Sequence, residues 1–374
     1  MGSPDVVIIG GGSVGCAVAR ALARGGARVE VLERAIPGAE ASSAAAGIIG
    51  AQGEADSPGP FLDLCLRSRS LYADWTAALE DETGVSVGWR RSGLLHLAHD
   101  EVEGRLLTRR VEQQAALGLH AEVLDRAQVL ALEPAVDPSV LGAVWFPEDG
   151  QVDPRRLVKA LAIGAERAGA HFRTGAVARR VVHEGGRVLG VDVDGVLLPA
   201  GTVVLAAGAW SSLVPGAGLP ERVVRPARGQ LLKLETRSPV LSAVVYSAAG
   251  YVVPRADGTV LVGSTLEMVG FHKAVTVSGL AALAAIATGI APSLGAASVV
   301  DSWAGFRPHT GDLLPLLGPT PLHGLLLATG HYRNGILLTP VTAEIIAALV
   351  LRGESPVDLG PFSMQRLEDP GADT

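Results

Sequence analysis

Arg307 stands between Phe306 and Pro308 in the stretch WAGFRPHTGD, residues 303–312. A guanidinium is costly to bury without an anion, and its planar fork matches the two oxygens of a carboxylate. This residue is therefore a candidate for holding an anionic ligand. Near the start of the chain, Gly10, Gly12 and Gly15 give the spacing G-x-G-x-x-G. In a phosphate cradle Gly10 makes the tight turn, Gly12 lets the backbone approach a pyrophosphate, and Gly15 lets helix and strand pack closely. Glu33 follows 18 positions after the last of these glycines. A carboxylate there accepts hydrogen bonds from ribose hydroxyls and disfavours a 2′-phosphate. No Ser/His/Asp set or metal-ligand spacing of cysteines accompanies them.

These residues need particular elements to hold them. Residues 6–9 are a β-branched and aliphatic run suited to a strand buried on both faces. Residues 16–24 have a helical pattern that Gly25 and Gly26 end, and residues 29–32 form a second strand closed by Glu33. The unit is a complete βαβ whose helix N-terminus faces the phosphates. Three more segments end in small-residue turns: EASSAAAGIIGAQ (40–52), TVVLAAGAWS (202–211) and GLLLATGHYRNGILL (324–338), the last running into a helix to about residue 351. Spread over the whole chain, they suit one long cofactor, FAD rather than NAD. The helix after residue 338 is placed to aim its positive end at the flavin ring. Residues 62–81 and 101–117 are expected to be helical. GQLLKLE, GYVVPR and TVLVGST alternate as strands of a half-covered antiparallel sheet do.

Composition narrows the classes. The 374 residues are 48% hydrophobic and 18% charged, enough for a sizeable core. A net charge of −7 argues against nucleic-acid binding, which needs a basic face. Residues 275–300 are an uncharged run broken by glycine and proline, which favours a helix plus loop over a membrane span. Cys16 and Cys65 fit a reducing, cytoplasmic setting. The apolar run at the N-terminus reads as a strand, not a signal peptide.

The set GGGSVG, SSAAAGIIG, VVLAAGAWS, WAGFRPHTGD and GHYRNGILLTP resembles the D-amino-acid oxidase family of flavoproteins, most of all its glycine oxidases of thiamine biosynthesis. The resemblance runs from residue 6 to about 351. It implies FAD contacts at Gly10, Gly12, Ser13, Val14, Gly15, Glu33, Arg34, Ser42, Ser43, Ala46, Gly47, Ile48, Val177 and Gly208, and at His331, Tyr332, Arg333, Asn334, Gly335, Ile336 and Leu337. It implies that Arg307 and the Tyr251 hydroxyl bind a substrate carboxylate, with Arg333 as a second cation; Asp312 and Glu344 are its alternative partners. Some relatives attach flavin through a cysteine in the C-terminal half. None follows Cys65 here, so non-covalent FAD is expected. Ala249 stands where glycine oxidases often have histidine, and Leu266 and Met268 are expected in the pocket wall. His309 has no role and is expected to face solvent.

The fold expected is α/β, a Rossmann-like FAD-binding domain with a second α+β substrate domain on a largely antiparallel sheet. The FAD domain takes residues 1–86, 148–220 and 303–374, and the substrate domain 87–147 and 221–302. The tail from Gly353 is expected to be partly disordered. The implied reaction is oxidative deamination of a small amino acid, glycine above all, by hydride transfer to FAD and then to O2. Sarcosine or small D-amino acids as substrates, and a non-O2 acceptor as in cyanide-producing glycine dehydrogenases, stay open. Relatives are often tetramers, so a homo-oligomer is implied.

Overall fold

The computed structural model describes residues 3–55 and 57–367. Strand β1 (Val6–Ile9), helix α1 (Ser13–Arg24) and strand β2 (Val29–Glu33) form the expected unit. β1 is buried along its length, and its side chains alternate between two layers. Val6 and Ile8 pack among α1 and the helices Pro154–Arg167 and Thr339–Arg352. Val7 and Ile9 pack against a three-stranded antiparallel sheet, Ala178–Glu184, Arg187–Val193 and Val196–Pro199. α1 starts at Ser13, three residues before the helical pattern begins, so the glycine turn runs straight into it.

β1 and β2 belong to a six-stranded sheet in the order Leu316–Pro319, Leu325–Thr329, Thr202–Leu205, β1, β2, His171–Thr174. All pairs are parallel except the one at the Leu316–Pro319 edge. The chain leaves β1 on one side to β2 and returns on the other at Thr202–Leu205. Open α/β sheets bind ligands in the crevice beyond the strand ends at such a reversal. After β2 come a short helix α2 (Ala41–Ala44), strand β3 (Ile48–Ile49), a short helix α3 (Ala51–Glu54) and the long helix α4 (Pro60–Thr83). α4 opens on Pro60, whose fixed φ suits a first helical position, and closes on Gly84 in the left-handed conformation.

The second sheet has eight strands, in the order Ser298–His309, Arg225–Glu235, Thr259–Gly263, Gly250–Pro254, Val244–Ser247, Leu94–Ala98, Gly142–Phe146, Glu122–Asp125. It is antiparallel except where Val244–Ser247 meets Leu94–Ala98. One face, with Leu232, Val245, Val252 and Val262, packs on the helix Val277–Ile290. The other face, with Leu231, Tyr246, Tyr251 and Leu261, looks toward the first sheet's crevice.

The mixed α/β architecture is as expected from the sequence. Residues 275–300 form the helix Val277–Ile290, a 3-10 turn and the start of a strand, and no helix among the described residues is long and apolar enough to cross a membrane. The described part of the tail from Gly353 is ordered. As far as Leu367 it folds back in 3-10 turns with Phe362 and Met364 buried, because those two side chains complete core clusters of the first sheet. Residues 368–374 lie outside the described residues.

Candidate active site

A single cavity of about 500 Å³ runs from the glycine turn to the open face of the eight-stranded sheet. Its first end is the cradle. A side chain at Gly10, which has φ +110°, would overlap the Ala206 carbonyl. One at Gly15 would overlap the Gly10 carbonyl, so the turn admits only glycine at these close approaches. Glu33 grips the turn: its two carboxylate oxygens accept from the Gly11 and Ala35 N–H groups, each at 2.8 Å. Ser42 Oγ accepts from the Ser13 N–H at 2.9 Å. Thr339 donates to Ser13 Oγ at 3.2 Å, so the N-termini of α1 and the 339–352 helix meet at one wall. Two helix dipoles make that wall electropositive. Gly turn, Glu33 and paired helix ends fit the pyrophosphate and ribose of a dinucleotide.

The middle of the cavity is lined by residues 44–48, whose backbone is pinned from behind. The carbonyl of Ser43 accepts from Arg155 at 3.1 Å, that of Ala44 from Trp303 Nε1 at 3.1 Å, and that of Ala46 from Arg255 at 2.5 Å. Burial brings the Arg255 guanidinium down to about 10, still charged at neutral pH. The opposite wall, residues 331–336, is held by α4: Tyr72 donates to the Ile336 carbonyl and Ser68 to the Leu337 carbonyl at 2.6 Å. His331 is buried on this wall, 3.0 Å from Thr342 Oγ1, and desolvation lowers it to about 4. It is neutral near pH 7.

The far end brings Arg307, Tyr251 and Arg333 into the same cavity. The Arg307 guanidinium lies over Gly229 of the neighbouring strand, where a side chain would overlap it. It donates to Ser264 Oγ at 2.6 Å and to the Thr265 carbonyl at 3.2 Å. Among the described residues no carboxylate lies within ion-pair distance of it. Tyr251 lies over Gly263 in the same manner. Two residues the sequence reading missed complete this end. Tyr246 packs its ring 5.3 Å from that of Tyr251 and donates its hydroxyl to Glu54. Glu54 in turn lies 3.1 Å from Arg333. Burial, then the nearby Glu54 carboxylate, raises the Tyr246 hydroxyl well above its ordinary range and keeps it a donor. No motif marks Glu54; Tyr246 could have been found as the cross-strand partner of Tyr251.

The other site residues named from the sequence sort as follows. Gly10, Gly12, Ser13, Val14, Glu33, Arg34, Ser42, Ala46, Gly47, Ile48, Val177, Gly208 and residues 331–336 line the cavity. Gly15, Ser43 and Leu337 do not: Gly15 packs α1 on the turn, the Ser43 carbonyl faces Arg155, and the Leu337 side chain is in the core. Arg333 pairs with neither Asp312 nor Glu344, which are taken by Arg366 and Arg67. Leu266 and Met268 point outward, 58% and 54% exposed, because their segment crosses outside the Arg307 support. His309 is half-buried with its ring against Tyr332 at 4.9 Å, and desolvation lowers its pKa. Cys16 and Cys65 are buried free thiols away from the cavity.

A dinucleotide cradle continuous with a carboxylate-sized cationic end defines a flavin-dependent oxidoreductase. The family model described as FAD dependent oxidoreductase (DAO) matches residues 5–349, and the chain belongs to that family. The bifunctional protein ThiO/ThiG of Nostoc sp. is 38% identical over 97% of this chain, which spans about half, 55%, of that relative's length. A glycine oxidase of Geobacillus kaustophilus is 37% identical, with 97% of each chain covered. The crystal structure of glycine oxidase from Geobacillus kaustophilus superposes with a TM-score of 0.94 at 36% identity, covering 97% of this chain and 98% of that one.

Proposed function

We propose that this protein oxidises a small amino acid, glycine in the first place, with non-covalent FAD, and that it serves thiamine thiazole synthesis. The observation that carries the reading is Arg307, seated over Gly229 in the wall of the cofactor cavity with no protein carboxylate beside it among the described residues. The likeness to glycine oxidase over the full chain supports the substrate, and that to ThiO/ThiG the pathway. Arg307 and the Tyr251 hydroxyl bind the substrate carboxylate and so turn the α-carbon toward the ring wall. Bound FAD supplies a two-electron acceptor for the α-hydrogen. The walls position and exclude water; none of the residues here acts as a strong base, and neutral His331 supplies no proton. The amine must arrive unprotonated for its lone pair to assist loss of the hydride. The imine left by that oxidation is released and hydrolysed by water to glyoxylate and ammonia, and O2 is reduced to H2O2. The two buried free thiols accord with a cytoplasmic setting.

The test is anaerobic addition of glycine to the yellow holoprotein. Bleaching of the flavin bands, with recovery and H2O2 release on admitting air, is the expected result. A spectrum that glycine leaves unchanged would overturn the substrate assignment, and bleaching that air does not reverse would overturn O2 as acceptor.

A further inference from the structure

Glu54 has no part in the reaction described above, yet it faces the reacting end of the cavity with its side chain only 9% exposed. Its helix, α3, has four residues and is too short to stand by its own hydrogen bonds. It is instead clamped from outside. Fully buried Asp149 accepts from the Gln52 N–H at 3.3 Å and the Gly53 N–H at 2.9 Å. Arg69 bonds Asp149 at 2.7 Å and Gln52 Oε1 at 2.8 Å, and Arg110 donates to the Gly53 carbonyl at 2.9 Å. The Glu54 carboxylate is thus fixed in place, one oxygen taking the Tyr246 hydroxyl and the other facing Arg333 at 3.1 Å.

Two consequences follow from charge. Among the described residues the charged side chains at this end are Arg307, Arg333 and Glu54; Glu54 faces Arg333, while the charge of Arg307 has no carboxylate beside it. One carboxylate matches it. A second acidic group on a ligand would meet Glu54 where it sought Arg333, and like charges set together in a partly desolvated site discriminate strongly. We propose that Glu54 is a specificity-determining residue: by holding the charge of Arg333 it admits amino-monocarboxylates and turns away substrates with a second acidic group. The proposal rests on the amino-acid oxidase reading for its biological meaning, but binding alone tests it.

The experiment titrates the FAD-loaded protein with acetate and with malonate and follows the flavin absorption, in wild type and in Glu54→Gln, which keeps the side-chain shape and an acceptor for Tyr246. In wild type malonate is expected to bind no more tightly than acetate. In Glu54→Gln the preference shifts toward malonate by about tenfold or more, as the carboxylate that repels a second acidic group is gone. The kcat/KM ratio of iminodiacetate to glycine should rise by a similar factor. An unshifted ratio in a variant that still binds both ligands overturns the proposal. So does wild type binding malonate ten times more tightly than acetate, a result that needs no variant to fold. Dissociation constants that shift as expected in a protein that does not oxidise glycine would defeat the proposed substrate alone.

Discussion

Arg307 owes its place to a missing side chain. Without Gly229 beneath it the guanidinium has no seat, and Ser264 and the Thr265 carbonyl hold it by neutral contacts that leave its charge uncancelled. Arg307→Ala is expected to raise KM for glycine by about tenfold or more, since hydrogen bonds to charged groups contribute about 1.5–3 kcal/mol each, while the protein stays yellow. Steady-state kinetics with a visible spectrum check both halves. His331 gives a second prediction. Its folded pKa, about 4, lies below the ordinary 6.5, so the unfolded chain binds the proton more readily between those values. Stability from this residue is therefore full above about 6.5 and falls as pH drops toward 4. His331→Gln should flatten that slope, read as denaturant midpoints at pH 7 and pH 5; an equal slope in the variant would contradict it. Glu54 shows the limit of reading residues from a sequence. Glu33 declares itself by standing at the end of a strand after a glycine turn. Glu54 becomes a site residue only because a sheet distant in sequence brings Tyr246 over it and the 331–336 turn brings Arg333 beside it.

Among the elements, the 44–48 segment has little structure of its own and is shaped by what donates to its carbonyls. Trp303→Phe keeps an aromatic ring but removes the donor to the Ala44 carbonyl. One lost hydrogen bond of about 1 kcal/mol predicts FAD affinity weaker by about fivefold, measured by release of flavin fluorescence; an unchanged affinity would mean the pin does not position the loop. The βαβ unit was legible because its local signals agree: buried strand, glycine turn, helix, acidic end. The strands around Tyr251 were legible from alternation. Leu266 and Met268 were misplaced because their segment lacks regular structure, and no period says which way an irregular segment faces; His309 ends a strand and is half-covered by Tyr332, from a turn that its own strand does not announce. The order of the tail up to Leu367 was not legible for a related reason: the burial of Phe362 and Met364 depends on clefts that only the folded first sheet supplies.

For the whole molecule, the cavity draws its lining from segments between Ile9 and Ile336, so a bound ligand would join stretches far apart in the chain. A ligand that binds only the folded state stabilises it in proportion to occupancy: FAD at a hundredfold excess over its Kd should add about 2.7 kcal/mol. Thermal unfolding of the flavin-stripped protein with and without FAD tests this. A full shift from adenosine alone would mean that the far walls contribute nothing to holding the cofactor.

Trp303, Gly305 and Arg307 occupy alternate positions of one strand and so share a face. Trp303 holds the Ala44 carbonyl, Gly305 lets Ala44 come close, and Arg307 reaches the cavity. Four residues of strand span about 13 Å. On the proposed function, that length acts as a ruler between the wall that would meet the cofactor and the charge that would meet the substrate. Neither ligand has to find the other, because a piece of backbone has already measured the gap. An extra residue between Trp303 and Arg307 would turn the arginine to the wrong face and undo the alignment in one step.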